Sequence, residues 1–203
     1  MYNRAELKNR AKTTFLSQYG ISIGAYILYA VLVAVSSSAF GIGVLLVMPP
    51  MLVGYSAFCL QVWRGGAGDI NDMFSKGFSD YGRSLGGILW MELFIFLWTL
   101  LFFVPGIIKA LSYSMTPFIL ADCPNVRPTE ALKLSMRITK GHKGKIFVLY
   151  LSFIGWGLLS LLTGGILHLL FVGPYLNTSM AGIYETLRHD ALTRGVVRPE
   201  ELA

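Results

Sequence analysis

The chain has 203 residues, 54% of them hydrophobic and 14% charged, and its 17 Lys and Arg outnumber its 11 Asp and Glu for a net charge of +6. A typical soluble domain carries about 25% charged residues, so this composition excludes an ordinary soluble domain. Residues 13–63 and 146–184 hold no charge, and residues 84–121 hold only Glu92 and Lys109.

About 20 helical residues cross a hydrocarbon core of about 30 Å. Each of the three runs is too long for one span and suits two spans with a turn. Backbone groups in lipid must be satisfied within their own segment, and the runs lack the alternation of barrel strands. An all-α polytopic membrane protein follows, with six transmembrane helices as three pseudo-repeated hairpins, each preceded by an amphipathic interfacial helix. The whole of 1–203 reads as one membrane domain, with repeats at roughly 4–64, 65–124 and 125–190 and a polar cytoplasmic tail at 191–203.

In chain order, residues 4–18 form the first amphipathic helix, with Leu7, Ala11 and Phe15 on one face. The first span covers 20–37 and the second 44–63, with a turn around Gly41 between them, Pro49-Pro50 as a kink or late start, and Trp63 as an interfacial anchor. Asp69 is the expected N-cap of a second amphipathic helix carrying Ile70, Met73, Phe74, Gly77 and Phe78 on one face. The third span covers 85–103, and Val104-Pro105-Gly106 breaks the chain before the fourth at 107–121. Pro128 opens a third amphipathic helix, with Glu130 in its first turn and Arg137 and Lys140 near its end. The fifth span covers 146–162 and the sixth 166–187, with Pro174 inside it. Tyr19-Gly20, Tyr81-Gly82 and Lys143-Gly144 recur at an interval of 62 residues, each ending an amphipathic helix and beginning an outgoing span.

Sixteen of the 17 basic residues fall on one side of this arrangement. The positive-inside rule then puts both termini in the cytoplasm and explains the basicity without nucleic acid. The N-terminus lacks the cleavage pattern of a signal peptide, and Cys59 and Cys123 are expected as reduced thiols.

Gly141-His142-Lys143, Leu151-Ser152-Phe153-Ile154-Gly155-Trp156 and Gly173-Pro174-Tyr175, with the central stretch from Leu97 to Pro124, resemble the bacterial integral membrane family catalogued as domain of unknown function 975. That family is typical of Firmicutes and is distantly similar to the membrane domain fused to some glycerophosphodiester phosphodiesterases. Cys123 stands where asparagine is expected and Gly144 where an aromatic residue is common. The resemblance implies the architecture and a bacterial cell membrane, and carries over no catalytic residue.

Glu92 is the sharpest candidate for chemistry. An ionised carboxylate at mid-membrane costs about 2.5–3.5 kcal/mol, so it is expected to face protein or water, either as a relay or hydrogen-bonded to Ser114 or Thr116. Lys109 is expected near the outer surface, snorkelling to headgroups. Ser114 and Asn177 complete the candidate intramembrane polar site. Lys140, His142, Lys143 and Lys145 form the densest basic cluster, read as a headgroup or partner contact. Gly20-x-x-x-Gly24 and Gly82-x-x-x-Gly86 are read as close packing inside the monomer, with a dimer seam as the alternative. No nucleophile elbow, zinc motif or phosphate loop occurs, so neither cofactor nor metal is expected.

These residues point to a non-enzymatic multi-pass membrane protein that binds membrane lipids, amphiphiles or other membrane proteins, itself included, in envelope homeostasis. The alternative is a small permease or channel built on proline-broken helices and Glu92.

Overall fold

A computed structural model describes residues 4–37 and 42–202, and every regular element among them is helical. The predicted turn around Gly41 lies outside the described residues. Five helical stretches are long and apolar enough to cross a membrane: Tyr19–Ser37, Gly43–Trp63, Tyr81–Leu101, Phe103–Asp122 and Lys143–Leu162. The expected sixth is not among them. A π-helical turn at His168–Val172 interrupts it, and the α-helix that continues it, Gly173–Thr193, carries Glu185, Arg188 and Asp190 in its second half.

The elements in order are α1 (Arg4–Ser17), α2 (Tyr19–Ser37), α3 (Ile42–Trp63), α4 (Ile70–Phe78), α5 (Tyr81–Leu101), α6 (Phe103–Tyr113), α7 (Thr116–Asp122), α8 (Pro128–Ile138), α9 (Lys143–Leu162) and α10 (Gly173–Thr193). The outgoing helices α2, α5 and α9 start 62 residues apart, at Tyr19, Tyr81 and Lys143. They lie at the periphery: 17% of α2 and 22% of α5 and α9 is buried, against 61% of α3. The returning helices α3, α7 and α10 form the centre, where Phe118 stacks on Tyr184 at 5.8 Å.

The short helices α1, α4 and α8 pack on α10, α3 and α7 respectively. The face of α1 buries Leu7, Ala11 and Phe15, and the Asp69 side chain caps α4 by accepting from the Asn71 N–H at 2.8 Å. Their docking places differ from a position at the helix ends. Gly54 and Gly77 let the α3 and α4 backbones touch, because a Cβ on Gly54 would overlap the Met73 carbonyl and one on Gly77 the Pro50 carbonyl. Thus α4 rests on the middle of α3. Helix α1 likewise meets α10 near its start, where the Tyr175 hydroxyl donates to the Lys8 carbonyl at 3.2 Å.

The breaks follow from proline chemistry, at places the sequence only approximates. The turn between α5 and α6 is the single extended residue Phe102, and Pro105 sits in the first turn of α6, where its missing N–H is harmless. Pro117 instead breaks the returning helix between α6 and α7. The backbone groups freed there are taken up by α8: the Met115 N–H donates to Ser135 Oγ at 3.3 Å, and Ser135 Oγ and Thr139 Oγ1 donate to the Ser112 carbonyl at 2.7 and 3.3 Å. Before Pro174 the ladder slips into the π register, with the Gly173 N–H reaching the His168 carbonyl.

Three further expectations are corrected. Trp63 is no interfacial anchor: it is buried, packs against Gly182, and has the Arg10 guanidinium 4.5 Å from its ring. Gly20, Gly24 and Gly82 have nothing within 4 Å of an added Cβ, and Gly86 meets only Pro128, so these glycines are not close-packed inside the chain. Finally, residues beyond α10 fold back on α8, where Arg137 pairs with Glu201 at 2.6 Å and donates to the Val196 carbonyl, and Val197 and Leu202 are buried.

Overpacking a core usually costs about 1–3 kcal/mol. Gly54→Leu is expected to reach or exceed that range, since the clash is with backbone that cannot rotate away. Gly20→Ala should not lower stability. Thermal unfolding in detergent, followed by tryptophan fluorescence, checks both; a Gly54→Leu variant melting with the parent would show that α4 is not held by backbone contact.

Candidate functional site

The returning helices converge on a charged cluster at their C-terminal ends. Arg64, just past α3, pairs with Asp122 at the end of α7 at 2.7 Å and with Glu185 of α10 at 2.5 Å. Arg188 approaches Asp122 at 3.5 Å and the Tyr184 hydroxyl donates to it at 3.0 Å. Beside it, Arg83 caps α7 by donating to the carbonyls of Leu120, Cys123 and Val126, the last two at 2.9 and 3.0 Å. Burial, with the Asp122 charge beside it, pushes the Cys123 thiol up, so it stays protonated and inert. The pairs were not singled out from the sequence, although Arg64, Asp122 and Glu185 all stand where apolar runs end.

Among the predicted site residues, Glu92 does not bond to Ser114 or Thr116. It is exposed on α5 among Trp90, Leu93, Phe94 and Phe96, and the Ser114 hydroxyl donates instead to the Leu111 carbonyl at 2.9 Å. Thr116 Oγ1 is buried without a hydrogen-bond partner. Lys109 does not extend away from the short helices: its Nζ lies 5.0 Å from the Trp98 ring and 3.9 Å from Met136 Sδ of α8. Glu92 and Lys109 form no ion pair.

Ser114 and Asn177 do come together. With Ser56, Tyr150 and apolar side chains from α3, α5, α7 and α10 they line a central cavity of about 200 Å³.

The basic cluster divides. His142 and Lys145 line a larger concavity of about 440 Å³ at the junction of α9 and α10, together with Thr186, Leu187, His189, Asp190, Thr193 and Arg194. Lys140 and Lys143 are not part of its lining. Asp190 is held by Arg194 and lies 3.7 Å from His142 Nε2. Thr186, His189, Asp190, Thr193 and Arg194 recur at three- and four-residue spacing, so they share one helix face. That periodicity is present in the sequence, but it runs across the predicted end of the sixth span at 187. Among the described residues no group of three His, Cys, Asp or Glu side chains is placed to hold a metal.

With its carboxylate exposed and unpartnered among the described residues, Glu92→Gln is expected to leave expression and the thermal midpoint unchanged, within about 0.5 kcal/mol as for surface substitutions generally. A large loss of stability would reveal a partner for the carboxylate.

A family model described as protein of unknown function (DUF975) matches residues 88–191, from within α5 to within α10, and so takes in Ser114, Tyr150, Asn177 and most of the basic concavity. Neither a curated protein nor a solved structure matches the chain. The matched stretch covers just over half of the sequence, and the chain belongs to the DUF975 family.

Proposed function

We propose that the protein is a non-enzymatic, multi-pass component of a bacterial cell membrane that binds anionic lipid headgroups at the concavity between α9 and α10. The observation that carries this reading is the gathering of Lys145, Arg194, His142 and His189 around one hollow at the start of the apolar helix α9. A phosphate held by Lys145, Arg194, His142 and His189 would leave its acyl chains to the apolar exterior of α9.

The same proposal takes the chain as six spans in three repeats, with both termini cytoplasmic. Two features support the repeats: the common interval of α2, α5 and α9, and the cyclic packing in which α4 rests on α3, α8 on α7, and α1 closes the ring on α10. The basic side of the chain supports the orientation. What supports the alternative of a small permease is the central cavity, and Glu92 is not part of its lining.

Native mass spectrometry of the purified protein after exchange into mixed micelles tests the lipid reading. Retention of phosphatidylglycerol over phosphatidylcholine is expected, lost in a Lys145→Ala/Arg194→Ala double variant and weakened by high salt, which screens half-exposed charges. Equal retention of both lipids, or retention indifferent to the double variant, would overturn it.

A further inference from the structure

The central cavity is separate from the headgroup site, and its chemistry is different. It is lined from α3, α5, α6, α7, α9 and α10, and its polar lining comes from Ser56, Ser114, Asn177 and Tyr150. The hydroxyl of Ser56 donates to the Leu52 carbonyl at 2.8 Å, that of Ser114 to Leu111 at 2.9 Å, and the Asn177 amide nitrogen donates to Gly173 at 2.9 Å. Each side chain has therefore spent a hydrogen on its own helix, as hydroxyls in apolar helices do. What they leave for an occupant is acceptor lone pairs on the two serine oxygens and the Asn177 amide oxygen, with the second Asn177 N–H as a donor. The Tyr150 hydroxyl has no hydrogen-bond partner among the described residues. Among the described residues, no Asp, Glu, Lys or Arg lines the cavity.

We infer that this cavity is a water-reachable binding site for a small uncharged solute carrying two or more N–H or O–H groups. Acceptors on Ser56, Ser114 and Asn177, beside the second Asn177 N–H and the Tyr150 hydroxyl, call for a solute that donates and can also accept. The absence of a carboxylate from the lining disfavours a cation, whose burial without a counter-charge is expensive. A volume of about 200 Å³ admits only a small guest, since a water molecule takes about 30 Å³ of liquid volume. Hydrogen-bonding capacity left over inside an apolar bundle is met by water or by a solute that replaces it. The inference does not rest on the lipid reading.

Cysteine accessibility in proteoliposomes tests it, in a Cys59→Ala/Cys123→Ala background with Ser114→Cys or, on the facing helix, Ser56→Cys. Either cysteine is expected to react with a water-soluble methanethiosulfonate reagent, with the rate reduced at least threefold by urea or glycerol at subdenaturing concentration. Adding Asn177→Leu, which fills the cavity and removes an acceptor, should abolish that protection. No labelling of either cysteine in folded protein would show a dry cavity and overturn the inference. Labelling that neither solute slows would also overturn it, leaving water alone as the occupant.

Discussion

The structure depends on how it satisfies the backbone where proline interrupts its returning helices. In an apolar environment an unpaired carbonyl or N–H is expensive and water is not at hand, so every break needs a partner supplied by another element. At the break before Pro117 the partners are Ser135 and Thr139, which carry the Ser112 carbonyl and the Met115 N–H on side chains of α8. Before Pro174 the helix answers internally, by a π-helical slip. In α3, which contains Pro49 and Pro50, the neighbouring segment is covered by α4 at backbone contact through Gly54 and Gly77. This gives the short amphipathic helices a structural task beyond resting at a surface: they cover or satisfy the interrupted middle of the helices behind them.

That task has a consequence for which surfaces are free. With α1, α4 and α8 committed to α10, α3 and α7, the peripheral helices α2, α5 and α9 present most of the apolar exterior. Many of their side chains lie on the exterior of the described chain, and Glu92 is among these. The central helices meanwhile bring their C-terminal ends together, and there Arg64 faces Asp122 and Glu185 at a distance where two carboxylates alone would repel. Removing one partner from such a cluster hurts more than the cluster contributes, because it leaves a half-buried charge uncompensated.

Polar groups separate into two environments of different character. The α9–α10 concavity is basic and carries two histidines, two threonines and a single carboxylate tied to Arg194. The central cavity is lined by no charged side chain among the described residues, and its serine hydroxyls spend their hydrogens on their own helices and keep their lone pairs. Neither is lined by Glu92, the residue that chemical intuition marks first in the sequence.

Amino-acid pattern alone determined the apolar helices, the buried face of α1 through Leu7, Ala11 and Phe15, the Asp69 cap, and the clustering of His142 with Lys145 near the start of α9. These are local: a three-to-four residue period defines a face, and uncharged length defines a candidate span. Only the tertiary structure decided what each face meets. Glu92 was legible as an expensive charge but its direction was not, since cost depends on depth and orientation on neighbours. Trp63 had the composition of an anchor and became core because Gly182 leaves room for its ring. The Pro117 break was hidden because whether a proline interrupts a helix or begins one depends on the partner, here Ser135 and Thr139, 18 or more residues away along the chain. Ser114 and Asn177 were legible as polar residues in apolar helices, but the cavity they share exists only where three returning helices converge.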